Sequence, residues 1–325
     1  MITKYIGQTE IVGELNEMLL AHANSAKKNE VYKWRPIFLG GYTGTGKSNL
    51  ARALAEQLVN FGFNYHEVPP NAGMKELYQM ANKIASFDPD TQQVSAIPYV
   101  ILWDEFHAQK QGLDLIKALT TQVTEAHTIW KQGNCFHFDP TNHIHIFASN
   151  MPLDKAMQRR CRSFITGAYK RNEMEKIAEL FLAREDVALT EDGMNALLDR
   201  VKPFPGDLEE VVGPIVNRAK AKDIRKLKGD DVTELLRSKG FFPKGLRRED
   251  ITILNTIVKE KHVTADVLRF KVRDEKKKST LDRVNWLASE GMVEPVRGGW
   301  QLAKGGADYM EMIATKQKAA KAARK

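Results

Sequence analysis

Cysteine is scarce in this chain. Two residues in 325, Cys135 and Cys161, are too few for a disulfide framework and match the usage expected in a reducing compartment. No apolar run approaches the roughly 18 residues a bilayer crossing needs, and the opening MITKYIGQTE has neither the basic nor the apolar block of a secretory leader. No internal repeat occurs. These absences predict a soluble, cytoplasmic protein with no membrane partner. What is present is ordinary for a globular chain, with 42% hydrophobic and 28% charged residues. Single cores rarely grow beyond roughly 250 residues, so two or three domains are expected.

Charge is the first departure from the ordinary. The formal net charge is +8, a balance that favours polyanionic partners through counterion release. Part of it sits in the closing KQKAAKAARK, which reads either as a frayed helix or as a solvated tail.

Strand and helix patterns alternate over the first half. Apolar spacing at Ile11, Leu15, Met18 and Leu19 predicts a helix over 11–23. The run Ile37-Phe38-Leu39 predicts a buried strand, followed by glycines and a helix-forming stretch from Asn49 to Val59. Further strands are expected at 64–68, at 99–103, at 134–138, at 143–148 and at 164–169, with a helix at 113–124. The all-apolar 99–103 suits a central parallel strand covered on both faces. The fold class is therefore α/β, a doubly wound parallel sheet, over about residues 1–170. Strands then largely vanish. Helical patterns at 173–185, 191–201, 206–221 and 230–238 predict a small helical domain over 171–240. After a linker at 241–245, three helices (249–260, 264–270, 279–290) and two short strands around Arg297-Gly298-Gly299 predict a winged helix over 241–311, with a basic tail at 312–325.

Gly41-Tyr42-Thr43-Gly44-Thr45-Gly46-Lys47-Ser48 fits G-x-x-x-x-G-K-[ST] at every defined position, between a strand and a helix. In such a loop the glycines let backbone N–H groups wrap phosphates. The lysine reaches the β and γ phosphates, and the hydroxyl supplies an oxygen to Mg²⁺. Gly41, Thr43, Gly44, Thr45, Gly46, Lys47, Ser48 and Asn49 are thus the expected ATP-binding residues, with Ser48 and Asp104 the expected Mg²⁺ residues. Asp104 and Glu105 follow the strand at 99–103, placing one carboxylate for the metal and one to polarise an attacking water. His107 reads either as a sensor of nucleotide state or as a structural histidine. Asn150, ending the strand at 143–148, is a candidate polar contact to the γ phosphate or a turn residue. Arg159, Arg160 and Arg162 form either a solvated basic patch or a group from which one arginine reaches a neighbouring subunit. Cys135-x-His137 and His143-x-His145 fall on two strands that a hairpin would bring together. A polar hairpin face is the preferred reading, and a zinc-like site the alternative. Lys276, Lys277 and Lys278, with Arg283 on the following helix and Arg297 at the wing tip, are the candidate DNA contacts.

Together these residues resemble the RuvB Holliday-junction branch-migration motors of the AAA+ class. Asp104-Glu105-Phe106-His107, the strand end Ala148-Ser149-Asn150 and the arginines near 160 follow the phosphate loop in that family's order, and the opening Tyr5-Ile6-Gly7-Gln8 resembles its adenine-side entry. The resemblance implies a helical lid, Tyr5 and Ile6 at the nucleotide, and Arg160 as the arginine finger. It also implies Lys47, Asp104, Glu105 and Asn150 as catalytic residues, and a hexameric ring acting on duplex or junction DNA. The predicted hairpin over 130–146 falls where the family docks a protein partner, but differs in length and composition. At Pro203-Phe204-Pro205-Gly206-Asp207-Leu208 the family carries a lid arginine and this chain has none, so either Arg218 substitutes or coupling of the lid is altered. A ring motor is the leading expectation. An ATP-switched loader or regulator of a replication, recombination or transposition protein is the alternative, and a DNA-independent protein remodeller comes third.

Overall fold

The computed structural model describes residues 1–84, 87–88, 93–94, 98–120, 127–131, 134–138, 143–272 and 277–322; side chains at 87–88, 93–94, 127–131, 134–138, 277–279 and 316–322 lie outside that description. The chain divides into two compact units. The first is 1–185 with 203–212, and the second is 186–202 with 213–325.

The first unit is built on a five-stranded parallel sheet, ordered Asn64–Val68, Tyr99–Trp103, His143–Ser149, Ile37–Gly41, Arg162–Thr166. Strand side chains alternate between faces, and here both faces are apolar. Phe38, Ile101, Trp103 and Phe147 pack on one side with Leu77, Met80, Leu115 and Leu119, from helices Met74–Ile84 and Leu113–Leu119. Ile37, Leu39, Val100, Leu102, Ile144 and Ile146 pack on the other with Leu15, Leu19, Leu50 and Leu54, from helices Thr9–Lys27 and Lys47–Val59. Every strand runs the same way, so the carboxyl ends gather on one edge.

Three expectations are corrected here. The strand at 134–138 does not form a hairpin with 143–148. It pairs antiparallel with His127–Lys131, while His143–Ser149 lies between Tyr99–Trp103 and Ile37–Gly41 in the main sheet. The paired strands are therefore 127–131 and 134–138, rather than a hairpin over 130–146. The last strand is Arg162–Thr166, not 164–169, because Arg162 pairs opposite Ile37 at the start of the neighbouring strand. The helix expected to reach 124 ends at Leu119, where the Thr120 hydroxyl donates back to the Ile116 carbonyl at 2.9 Å.

The second unit is mostly helical. Glu191–Leu198, the later part of Pro205–Ala221 and Gly229–Ser238 precede a group of three helices, Arg248–Glu260, Ala265–Val272 and Lys277–Ser289. A hairpin of Val293–Val296 and Gly299–Leu302 follows, tied by Val263 opposite Trp300 to the segment between the first two helices of that group. Ile253, Leu254, Ile257, Leu268, Val284, Leu287 and Val293 form its core, closed by Tyr309 from a last helix, Lys304–Ala322. The chain end that read as frayed helix or solvated tail is thus helical to Ala322. In the long helix Pro205–Ala221, Pro214 removes one backbone donor just past the boundary between the two units.

Candidate nucleotide site

The loop from Gly41 to Lys47 leaves the sheet and enters a helix through a backbone that side chains resist. Gly44 and Gly46 have φ of +82° and +83°, and a Cβ on Gly46 would lie 2.5 Å from the Tyr5 hydroxyl. Tyr5 donates to the Gly46 carbonyl at 3.1 Å. Its hydroxyl is 2.8 Å from that of Tyr169, which donates to the Thr45 carbonyl at 3.2 Å. Burial pushes the Tyr5 hydroxyl far above its ordinary pKa, so it stays protonated and available as a donor. Thr45, fully buried, donates to the Tyr42 carbonyl at 2.8 Å and touches the Thr166 hydroxyl at 2.7 Å. The loop is therefore braced from the sheet side and from the amino-terminal segment. Tyr5 braces it by its hydroxyl, whereas Ile6 is half-buried beside it.

Lys47 is 8% exposed, and its ammonium donates to the Tyr42 carbonyl at 2.7 Å. Burial draws its pKa down, while Glu105 and Asp104 act in the opposite sense. Ser48 donates to Asp104 Oδ1 at 2.7 Å, and the Glu105 backbone N–H donates to the same oxygen at 3.0 Å. Oδ2 of Asp104 receives Arg52 at 3.0 Å. A hydroxyl meeting a carboxylate is an all-oxygen donor set of the kind a hard cation such as Mg²⁺ takes, so the residues fit that ion. Glu105 sits in the left-handed region, φ +50°, with its exposed carboxylate 3.3 Å from His107 Nε2. Asn150 Nδ2 donates to Thr43 Oγ1 at 3.3 Å, at the loop itself. Thr43 and Asn49 are exposed beside it.

The arginines behave differently from one another. Arg162 pairs with Glu14 at 2.7 Å, and Arg159 accepts through its carbonyl from Arg35 at 2.8 Å. Arg160, at the end of helix Lys155–Arg160, donates to the Ala156 carbonyl of its own helix at 3.3 Å. The segment at 203–208 touches the loop by backbone: the Gly206 N–H donates to the Gly44 carbonyl at 3.0 Å. Arg218 lies about three turns further along that helix, bound to Glu234 at 2.7 Å.

His143 and His145 are not on a polar hairpin face. Both are buried in the central sheet, where His145 stacks against Trp103 and Phe147 and accepts from Trp103 Nε1 at 3.1 Å. The side chains of Cys135 and His137 lie outside the described residues. Among the candidate DNA contacts, Arg297 is exposed at the hairpin turn. Arg283 is turned inward, 3.3 Å from the fully buried Asp250 and 3.6 Å from Glu249. Lys276 and the side chains of Lys277 and Lys278 lie outside the described residues.

Sequence reading missed a second charged group at the site. Arg52 grips Glu67 through Nε at 3.3 Å and Nη2 at 2.7 Å, and Tyr65 donates to Glu67 at 2.6 Å. Arg52 follows Ser48 by one helical turn, a spacing that puts both on one face. That signal was available, but the adjacency of strands 64–68 and 99–103 was not.

Residues 37–168 match the model of the ATPase family associated with various cellular activities (AAA). No curated protein matches the sequence. Among solved structures, a point mutant of Thermotoga maritima RuvB aligns at TM-score 0.73 and 18% identity, covering 95% of this chain and 97% of its own. The Thermotoga maritima RuvB Holliday junction branch migration motor aligns at TM-score 0.69 and 18% identity, covering 94% and 95%. At that identity the likeness is one of fold, and it extends over both units.

Proposed function

We propose, from the match of residues 37–168 to the AAA family model and the fold shared with RuvB, that this chain is a hexameric ring motor which uses ATP hydrolysis to translocate duplex or branched DNA. The observation that carries this reading is the convergence of four elements on one sheet edge. They are the braced Gly41–Ser48 loop, Asp104 in contact with Ser48, the adjacent Glu105, and Asn150 on the loop. Lys47 would leave the Tyr42 carbonyl for the β and γ phosphates, and Ser48 with Asp104 would hold Mg²⁺. Bound there, the ion would neutralise charge on the phosphate oxygens. Glu105 would orient and deprotonate water, Asn150 would contact the γ phosphate, and Arg160 would reach a neighbouring subunit's site. Tyr5, through the loop it braces, and Ile6 would border the adenine side.

The DNA part rests on a coarser footing: net charge, the fold shared with RuvB over 94–97% of each chain, and a helical group with a hairpin that fits a winged helix. On that reading Arg297 and Lys276, Lys277 and Lys278 would contact phosphates, while Arg283 would serve the core. A second reading, an ATP-switched loader or regulator, is favoured by one observation: the lid meets the phosphate loop at Gly206, not through an arginine.

The two separate in steady-state hydrolysis with no DNA, single strand, duplex and four-way junction. A motor shows strong stimulation by duplex or junction, lost in Lys47→Ala and Arg160→Ala. Slow turnover indifferent to DNA would sink the motor and leave the loader.

A further inference from the structure

Arg52 joins two strand ends that the nucleotide chemistry as usually parsed does not connect. Its guanidinium holds Glu67 at two points, through Nε and Nη2, and extends the same Nη2 to Oδ2 of Asp104. Tyr65, two residues back on the Glu67 strand, fixes Glu67 from the other side at 2.6 Å. The parallel register sets Glu67 opposite Leu102, so its side chain lies level with the segment leading into Asp104. The other Asp104 oxygen, Oδ1, is the one facing the Ser48 hydroxyl.

The geometry points to Arg52 as a positioning residue for the divalent cation: anchored by Glu67 and Tyr65, it occupies Oδ2 of Asp104 and thereby presents Oδ1 beside Ser48. This rests on the assignment of Asp104 and Ser48 to Mg²⁺ made above. A surface ion pair that merely happens to lie nearby contributes little, and Arg52 and Glu67 are 46% and 35% exposed. The Asp104 carboxylate, however, is 13% exposed, and a planar fork held at two points fixes direction as well as charge. Partners of this kind set the orientation of a ligating carboxylate, and their loss lowers metal affinity about 10–100-fold.

The test measures binding, not turnover. The full chain is titrated with a fluorescent ATP analogue over a series of free Mg²⁺ concentrations, beginning with chelated metal. The variant is Arg52→Met with Glu67→Gln, which removes the pair while leaving the local formal charge unaltered. The expected result is a rise of about tenfold in the Mg²⁺ concentration that half-maximally tightens nucleotide binding. Metal-free affinity, which also reports folding, should hold within about twofold, a span small beside the tenfold that 1.4 kcal/mol represents. Asp104→Asn is the reference and raises the half-point further, with no additional shift on adding the pair. An unchanged half-point in the double variant, beside a shifted Asp104→Asn, overturns the role of Arg52 and leaves the metal assignment standing. An unchanged half-point in Asp104→Asn overturns the metal assignment itself, and the role of Arg52 with it.

Discussion

The nucleotide end of the sheet and the C-terminal helical group use charged side chains in opposite ways. At the sheet edge, Lys47 and Arg52 from successive turns of one helix face Asp104 and Glu105 at one strand end. In the second unit, charged side chains are taken up by packing, including Arg283, which read as a DNA contact. Arg283 is bound to Asp250, Lys202 lies 3.7 Å over the Trp286 ring, and Arg247 lies 3.5 Å over Phe241. A motif of fixed spacing thus names residues that the fold gathers at one sheet edge, whereas a count of positive charges over a helix does not show that Arg283 pairs with Asp250.

The sharpest way to break that contrast is Glu105→Gln. Loss of the base should lower kcat by at least about 100-fold while nucleotide binding persists, checked by single-turnover hydrolysis beside equilibrium binding. Near wild-type turnover would deny the sheet edge its chemical role. The matching change in the second unit is Asp250→Ala. It removes the acceptor of the Arg247 N–H at 2.7 Å and the closer acidic partner of part-buried Arg283, at a cost of about 3 kcal/mol in denaturant unfolding of that unit. ATP binding should survive.

Between these lies His145, a buried ionisable group in the sheet core. Burial, with His143 adding to it, pushes its pKa down to about 3 from an ordinary 6.5. As pH falls below 6.5 the unfolded chain takes the proton first. The contribution of neutral His145 is therefore complete above 6.5 and is lost on descent toward 3, at up to about 1.4 kcal/mol per pH unit. His145→Gln keeps an acceptor for Trp103 and should flatten that slope in unfolding measured from pH 7 to 4. Smallest is Arg297→Ala, which should reduce the salt dependence of duplex binding by about one unit of slope and leave basal hydrolysis unchanged.

How far the fold was legible follows from the same contrast. Strands at 64–68 and 99–103 are apolar or half-buried runs bounded by turn residues, and their expected limits match. The strand expected at 143–148 is present as His143–Ser149 but was given the wrong neighbour. Antiparallel adjacency is the cheap inference for two strands separated by Asp139-Pro140-Thr141-Asn142, whereas a parallel partner 44 residues away, Tyr99 opposite His143, leaves no local trace. The helix Met74–Ile84 was passed over although Leu77, Met80, Ala81 and Ile84 carry the spacing of a buried face. That the loop, Asp104, Glu105 and Asn150 lie close together was legible because the motif's spacing places them at neighbouring strand ends. Arg52 and Glu67 were not, because their partnership depends on strand order.

The meeting of Gly44 and Gly206 limits which sequences this chain can reach. A Cβ on Gly206 would fall 2.7 Å from the Gly44 Cα, and one on Gly44 would fall 3.3 Å from the Gly206 Cα at a φ that side chains resist. With two bare backbones in contact, a side chain at 206 needs the start of the helix and the loop to move apart, so a substitution at either glycine is felt at the other.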